Sequence, residues 1–283
     1  MDLFDKTKIP YYTMRMEKTA LITGASRGIG LAIAKQLSQQ GYHTAILAKT
    51  TEPHPKLPGT IYTAAKEISD AGKPCLPIVA DLRHEEDIYK AYETIEKEFG
   101  HLDILINNAG AVKLTDSLNL PLKHYDLMHR INGRGCFICC QIGHKLLKKS
   151  NNPHIINISP PLTLDPQYLL PHLAYTSSKY AMSLYTLGLA QQFKQDHIAV
   201  NSLWPRMIVD TAALNYIGPV LKKKSRSTQI MADAVAWMVQ QDSQTYTGQL
   251  LTDEQALQQS GVDNFDHYAI DPDQDLFKDL FVD

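Results

Sequence analysis

The short apolar run Thr19-Ala20-Leu21-Ile22 leads straight into Thr23-Gly24-Ala25-Ser26-Arg27-Gly28-Ile29-Gly30, and an amphipathic stretch from Ile29 to Gln40 follows. A strand, a glycine turn and a helix in that order open a βαβ unit and point to a parallel sheet. Glycines let the backbone turn sharply and come close to a pyrophosphate, whose charge suits a helix N-terminus. The spacing here is G-x-x-x-G-x-G, in place of the commoner G-x-G-x-x-G. Gly24-Ala25-Ser26-Arg27-Gly28 also fits G-x-S-x-G, the nucleophile elbow of hydrolases. That elbow normally follows several strands, with an acid and then a histidine later in the chain. Here it follows the first strand, and no histidine stands out as a partner.

The same alternation continues downstream. Strands are expected at 44–48, 76–80, 104–106, 154–158, 199–203 and 250–251, and helices at 61–70, 85–99, 175–194 and 230–240, with one long helical region over 121–149. The expected fold is α/β: a Rossmann-type doubly wound parallel sheet with helices on both faces, in a single domain. Residues 1–18 form an N-terminal extension and residues 19–260 the nucleotide-binding body. An acidic tail over 261–283, carrying Phe265, Tyr268, Phe277 and Phe281, is expected to pack on the body or on a partner subunit.

Two features speak to chemistry. Dinucleotide enzymes that use NAD place an acidic residue about 20 positions beyond the glycines, on the ribose 2′-hydroxyl. This chain has Lys49 at that distance and Arg27 inside the loop. Cations there suit a 2′-phosphate, so the expected cofactor is NADP. The second feature is Tyr175-Thr176-Ser177-Ser178-Lys179, whose i, i+4 spacing puts a phenol and an ammonium on one helical face. A free tyrosine, with a pKa of about 10, is a poor base at neutral pH; a neighbouring cation would lower it and bring proton transfer within range.

The glycine loop, Asn107-Asn108-Ala109-Gly110, Asn132 and Tyr175-x-x-x-Lys179 stand in the order seen in short-chain dehydrogenases/reductases. The chain resembles that family from about Lys18 to Thr252. Pro53 to Ala65, Asn157 to Leu162, Asn264-Phe265-Asp266 and Tyr268-Ala269-Ile270 are similar to its hydroxysteroid dehydrogenase-like subgroup. The resemblance implies that Tyr175 exchanges the proton with a substrate oxygen, that Lys179 holds the nicotinamide ribose and tunes Tyr175, and that Asn132 positions a relaying water. It also implies that Asp81 contacts the adenine and that Asn108, Ala109 and Gly110 line the cofactor cleft. With Gly24, Ser26, Arg27, Gly28, Ile29, Gly30 and Lys49 they make up the expected cofactor site.

Two departures stand out. The family's catalytic serine is often the fourth residue of an Asn-Ile-Ser-Ser-like strand end, where this chain has Asn157-Ile158-Ser159-Pro160. Proline has no side-chain donor and no N–H. Ser159, one place earlier, is the candidate substitute, re-aimed by the Pro160-Pro161 kink. The other departure is Pro205-Arg206 where the family has Pro-Gly; Arg206 either approaches the cofactor or turns to solvent.

The remaining signals are exclusions. The 28 Lys and Arg balance 30 Asp and Glu, a net charge of −2 that gives no footprint for nucleic acid or an anionic membrane. No apolar run approaches a membrane span, and the N-terminal residues lack the apolar segment of a secretory signal. The C-terminus is not a peroxisomal address, so a cytoplasmic location is expected. With the chain ending at Asp283, the sterol-carrier domain that extends some relatives is not expected. Cys136, Cys139, Cys140 and His144 share a helical face, but they lack a second cysteine pair, which favours core packing over a metal site. The run Lys222-Lys223-Lys224-Ser225-Arg226 reads as a solvated loop, or else as an attractor of an acidic substrate. The expected partners are a small-molecule carbonyl or alcohol substrate and further copies of the chain, as a homodimer or homotetramer. The alternative function is an NADP(H)-binding sensor or scaffold with little catalysis.

Overall fold

The computed structural model describes residues 17–55, 57–214 and 218–282, so the expected N-terminal extension lies outside it except for residues 17 and 18. The strands are β1 (Thr19–Thr23), β2 (His43–Ala48), β3 (Cys75–Val79), β4 (Ile104–Asn107), β5 (His154–Ile158), β6 (Ala199–Trp204) and β7 (Leu250–Thr252). They form one sheet in the order β3-β2-β1-β4-β5-β6-β7, and every neighbouring pair is parallel. The helices are α1 (Gly28–Gln39), α2 (Ile61–Ala71), α3 (Glu85–Phe99), α4 (Leu122–Met128), α5 (Cys136–Leu147), α6 (Pro166–Leu169), α7 (Leu173–Gln192), α8 (Gln229–Met238) and α9 (Asp253–Gln259). The doubly wound, single-domain expectation holds.

Parallel strands joined by helical crossovers are covered on both faces, so both sides of each strand must be apolar. In β1, Ala20 and Ile22 point into a core shared with α1, α2 and α8, while Leu21 points into a second core shared with α3, α5 and α7. β4 and β5 repeat the alternation with Ile104, Ile106 and Ile156 on one side and Leu105 and Ile155 on the other. Local signals set the helix ends. Thr60 and Thr63 form a reciprocal capping box at the start of α2. Glu85, Glu86 and Asp87 crowd the first turn of α3, and Gly100 ends it with φ 76°.

The long helical region expected over 121–149 is interrupted. A π-helical turn, His129–Gly135, separates α4 from α5. Gly133 and Gly135 weaken the helix there, and the buried Asn132 between α4 and α5 is bonded to the backbone of another loop.

Strand order reverses beside β1: β1 leads by way of α1 to β2 on one side, while β4 lies on the other. Doubly wound sheets open a crevice at the carboxyl ends of the strands at such a point. After α9 the chain returns across the body. Phe265, Tyr268 and Phe281 are buried in the core on the α1 side, and residues 277–280 run along the rim of that crevice.

Candidate active site

The crevice holds a cavity of about 660 Å³. At one end lies the glycine loop. Gly24 has φ 69°, and a Cβ there would stand 2.6 Å from the Cα of Ala109, so the loop accepts no other residue without moving its neighbour. Gly30 packs as tightly: a Cβ would meet the Asn108 Nδ2 at 2.4 Å. That amide is fixed, since it donates to the carbonyls of Thr23 (2.9 Å) and Gly24 (3.1 Å). The backbone N–H groups of Asn108 and Ala109 both donate to Thr23 Oγ1 at 3.1 Å, which binds the end of β4 to the end of β1. α1 starts without a side-chain cap and without an acidic residue in its first turn. Its orphan N–H groups and the positive end of its dipole therefore remain for an anionic ligand.

Gly24, Ser26, Arg27, Gly28 and Ile29 all lie on the cavity wall, and Lys49, Asp81, Asn108, Ala109 and Gly110 join them. Arg27 Nη2 donates to the Gly59 carbonyl at 3.2 Å, which ties the loop to the Pro-rich segment after β2. Asp81 sits between two cations: Lys49 Nζ is 3.4 Å away and Arg83 grips it at 2.5 Å. Burial works to raise the Asp81 carboxyl, but Arg83 and Lys49 prevail and hold it down at about 2. Among the described residues no histidine lines the cavity, so Ser26 has no imidazole base there of the kind a hydrolase elbow needs.

At the other end Tyr175 and Lys179, four residues apart on α7, are both buried and both line the wall. Lys179 Nζ donates to the Ile158 carbonyl at 2.8 Å and lies 5.3 Å from the centre of the Trp204 ring. Burial lowers its pKa to about 8, opposed by the nearby Cys136 and Asp279. The Tyr175 phenol is held above its ordinary value by burial, and by the charge of Asp279. The lowering expected from Lys179 is therefore not what this structure shows: desolvation wins, and the ammonium is aimed at a carbonyl.

Asn132 lies behind the wall. Its Oδ1 accepts from the Ala111 N–H at 2.8 Å, and its Nδ2 donates to the Ala111 carbonyl and to Ser178 Oγ, both at 2.9 Å. A Cβ on Gly110 would be 3.5 Å from Asn132 Oδ1 and 3.6 Å from Lys179 Nζ, so the two groups flank the same point. Ser159 is fully buried just past β5, does not line the cavity, and its hydroxyl has no hydrogen-bond partner among the described residues. The Pro160 carbonyl is taken by Ser183 Oγ at 2.6 Å. Arg206 is likewise off the wall, where Pro205 and Ile208 take its place.

The other signals fall to structure. Cys136, Cys139 and Cys140 are buried, with Asn107 Nδ2 donating to Cys140 Sγ at 3.2 Å, and His144 pairs with Asp196 at 2.7 Å. No cluster able to hold a metal occurs among the described residues. The basic run is divided: Lys222 faces Asp210 at 3.3 Å, while Arg226 turns inward to Glu254 at 2.5 Å. Sequence reasoning missed the part of the wall made by Phe277, Asp279 and Leu280. The apolar tail residues were a signal that this segment packs, but nothing local marked Asp279.

The sequence profile of the short-chain dehydrogenase family matches residues 18–219. Hydroxysteroid dehydrogenase-like protein 2 of Homo sapiens is 47% identical over 266 residues, which cover 94% of this chain and 63% of that protein. Its Danio rerio counterpart is also 47% identical, with 94% and 64% covered. The chain thus spans less than two thirds of these relatives' length. Among solved structures, a dehydrogenase from Xanthomonas campestris superimposes with a TM-score of 0.91 at 42% identity, covering 94% of this chain and 98% of that one. A short-chain dehydrogenase from Mycobacterium thermoresistibile gives 0.89 at 44%, with 94% and 95% covered. No helix among the described residues is long and apolar enough to cross a membrane.

Proposed function

The chain belongs to the short-chain dehydrogenase family, and on that premise we propose that it is an NADP(H)-dependent oxidoreductase. It interconverts a carbonyl and an alcohol on a hydrophobic small molecule, with Tyr175 as the acid/base. The observation that carries this is the shared cavity wall: Tyr175 and Lys179, both buried, stand at the opposite end from an uncapped helix and its glycine loop.

The residues present suit the cofactor. Gly24, Ser26, Gly28, Ile29 and Gly30 shape a loop of close backbone approach, and the uncapped N–H groups at the start of α1 would face a pyrophosphate. Asn108 and Ala109 hold the loop through Thr23 and Gly24, Gly110 lines the cleft beside them, and Asp81 would contact the adenine. Arg27 and Lys49, with Arg83 beside them, supply positive charge for a 2′-phosphate. When bound, NADP(H) supplies or accepts the hydride.

The chain's own residues handle the proton. A buried Tyr175 stays a neutral phenol at neutral pH, the form that donates to an oxygen gaining negative charge as a carbonyl is reduced. Alcohol oxidation needs the phenolate and is favoured at higher pH. Lys179, at about 8, can return a proton towards Tyr175 near neutrality, and Asn132 lies beside it behind Gly110. Ser159 adjoins the wall residue Ile158 but lies off the cavity, so its buried hydroxyl would meet a substrate oxygen only after a shift of the Pro160-Pro161 segment. Exposed apolar side chains on α5 and α7, among them Phe137, Leu184 and Leu187, support a homodimer or homotetramer.

Ser159's place off the wall favours the second reading, an NADP(H)-binding sensor or scaffold. NADPH oxidation with a broad panel of aldehydes and ketones separates the two. Turnover of any of them supports the oxidoreductase; tight NADPH binding with none turned over overturns it.

A further inference from the structure

The C-terminal tail is fixed to the reacting end of the cavity by several independent attachments. The Ile208 N–H donates to the Phe277 carbonyl at 2.9 Å, and the Phe277 N–H donates to the Lys224 carbonyl at 2.9 Å. The Asp279 N–H donates to the Arg206 carbonyl at 3.1 Å. Trp204 Nε1 donates to the Leu280 carbonyl and the Tyr168 hydroxyl to the Val282 carbonyl, each at 2.8 Å. Phe281 is buried among Tyr168, Tyr175, Tyr180 and Trp204, with ring centres 5.5–6.2 Å apart. Its φ of 70° is a conformation a side chain rarely adopts, so the packing overrides a local preference.

These attachments place one carboxyl, Asp279, on the same wall as Tyr175 and Lys179. Its Oδ1 accepts from the Leu280 N–H at 2.6 Å, which fixes its direction. Ile158, Trp204, Ile208 and Leu280 give the same wall much apolar surface, and Lys179 is the cation whose charge acts on Asp279. The other wall carboxylate, Asp81, is committed to Lys49 and Arg83 at the far end. Lys179 gives its hydrogen bonds to Ile158 and Met182. Asp279 works against the proton chemistry, since its charge opposes a Tyr175 phenolate. Burial, with the charge of Asp253, pushes it up to about 7 against the Leu280 N–H and the charge of Lys179, which lies near enough to attract it without forming an ion pair. A carboxyl in an apolar wall is costly unless a donor reaches it, and the described residues offer only the Leu280 N–H.

We propose that Asp279 is a specificity-determining residue: its carboxyl accepts a hydrogen bond from a hydroxyl that the substrate carries next to the reacting carbonyl or carbinol. The substrate class is then a neutral hydroxyketone or diol; a plain hydrocarbon ketone leaves the carboxyl unpaired, and an oxo acid meets it with like charge. This rests on the oxidoreductase reading of the Tyr175 site.

The test compares an α-hydroxyketone, its deoxy analogue and the 2-oxo acid of equal length, with NADPH, on wild type, Asp279→Ala and Asp279→Asn. At pH 8, where the Asp279 carboxyl is mostly ionised, wild type should favour the hydroxyketone over the deoxy analogue by about 10- to 100-fold in kcat/KM, the range for a hydrogen bond to a charged group. Asp279→Ala should bring that ratio to within about threefold of unity, and Asp279→Asn should raise the rate on the oxo acid relative to the deoxy ketone. An unchanged ratio in Asp279→Ala, or a wild type that prefers the oxo acid, overturns the proposal. Thermal unfolding and NADPH titration of both variants show whether either is misfolded, and the near-isosteric Asp279→Asn carries the test if the alanine variant is. Should wild type turn over none of the three, the broad panel of aldehydes and ketones still decides the oxidoreductase reading. The proposal is then decided by calorimetric titration of the matching diol into the NADPH complex: binding that Asp279→Ala abolishes sustains it, and absent or equal binding sinks it.

Discussion

Replacing Lys49 by alanine should separate NADPH from NADH, and the structure gives the size of the effect. Three charges meet at the end of β2: Lys49, Arg83 and the Asp81 carboxylate between them. Their sum is +1, with Arg27 adding another positive charge on the same cavity wall. The alanine variant makes that trio neutral and leaves Arg27 alone to face a 2′-phosphate. A unit charge about 4 Å from another is worth about 1 kcal/mol in bulk water and about 4 kcal/mol at an effective dielectric of 20. The Lys49 side chain is 54% exposed, which places it near the lower figure. A loss of about 1–2 kcal/mol is a 5- to 30-fold rise in the Kd for NADPH, with NADH changed by less than about twofold. Asp81→Asn has the opposite sign: the trio goes to +2, and the ratio of NADPH to NADH affinity should rise. Both effects should shrink at 1 M salt, where the screening length is about 3 Å. Fluorescence titration of the two cofactors measures all of this. Equal weakening of NADPH and NADH by Lys49→Ala, or a fall in the ratio for Asp81→Asn, refutes the assignment of this corner to a 2′-phosphate.

The remaining expectations concern the tail and the buried thiols. Asp279 titrates at about 7 in the folded protein, against about 3.9 for an unfolded chain, so the unfolded state ionises first. Its contribution is whole below about pH 4 and is lost as pH rises through about 7. Denaturant unfolding at pH 5 and pH 8 should show Asp279→Asn narrowing the difference between them, by at most about 2.5 kcal/mol and by less where water in the cavity screens the charge; an undiminished difference contradicts the burial argument. Phe281→Ala and Phe281→Gly should each cost about 3–5 kcal/mol of tail or global stability. The glycine variant should be the more stable by about 0.5–1 kcal/mol, because φ 70° suits it; the usual order, alanine above glycine, would show that the backbone does not hold that conformation. Cys136, Cys139 and Cys140, buried, with the Cys136 and Cys139 thiols raised above their ordinary range, should resist a disulfide reagent until the protein unfolds. Rapid labelling of any of them in the native protein would contradict their packing.

Most of the sheet could be read from the chain because each parallel strand is buried on both faces and shows as a short apolar run between punctuated helices. Gly24 and Gly30 were legible for a related reason: close approach to Ala109 and Asn108 admits no side chain, so the spacing of glycines records geometry. The π-helical turn at His129–Gly135 was not, since its cause is a tertiary one, the bonds of Asn132 to Ala111. Asp279 was hidden for the same reason. It joins the cavity wall that holds Tyr175, 104 residues earlier in the chain, through a strap of backbone bonds, and no periodicity carries that information. Ser159 shows the limit from the other side. A strand-end serine is visible in sequence, but the direction of its hydroxyl depends on the Pro160-Pro161 path, which leaves it off the cavity wall.

The central claim is that Tyr175 exchanges the proton with the substrate oxygen. It is tested most directly by NADPH-dependent carbonyl reduction with wild type and Tyr175→Phe, on any ketone that wild type accepts. The variant keeps the ring against Phe281 and removes only the hydroxyl. The account predicts that kcat falls by about 10²- to 10⁴-fold while NADPH still binds. A Tyr175→Phe enzyme that turns over as fast as wild type would contradict it.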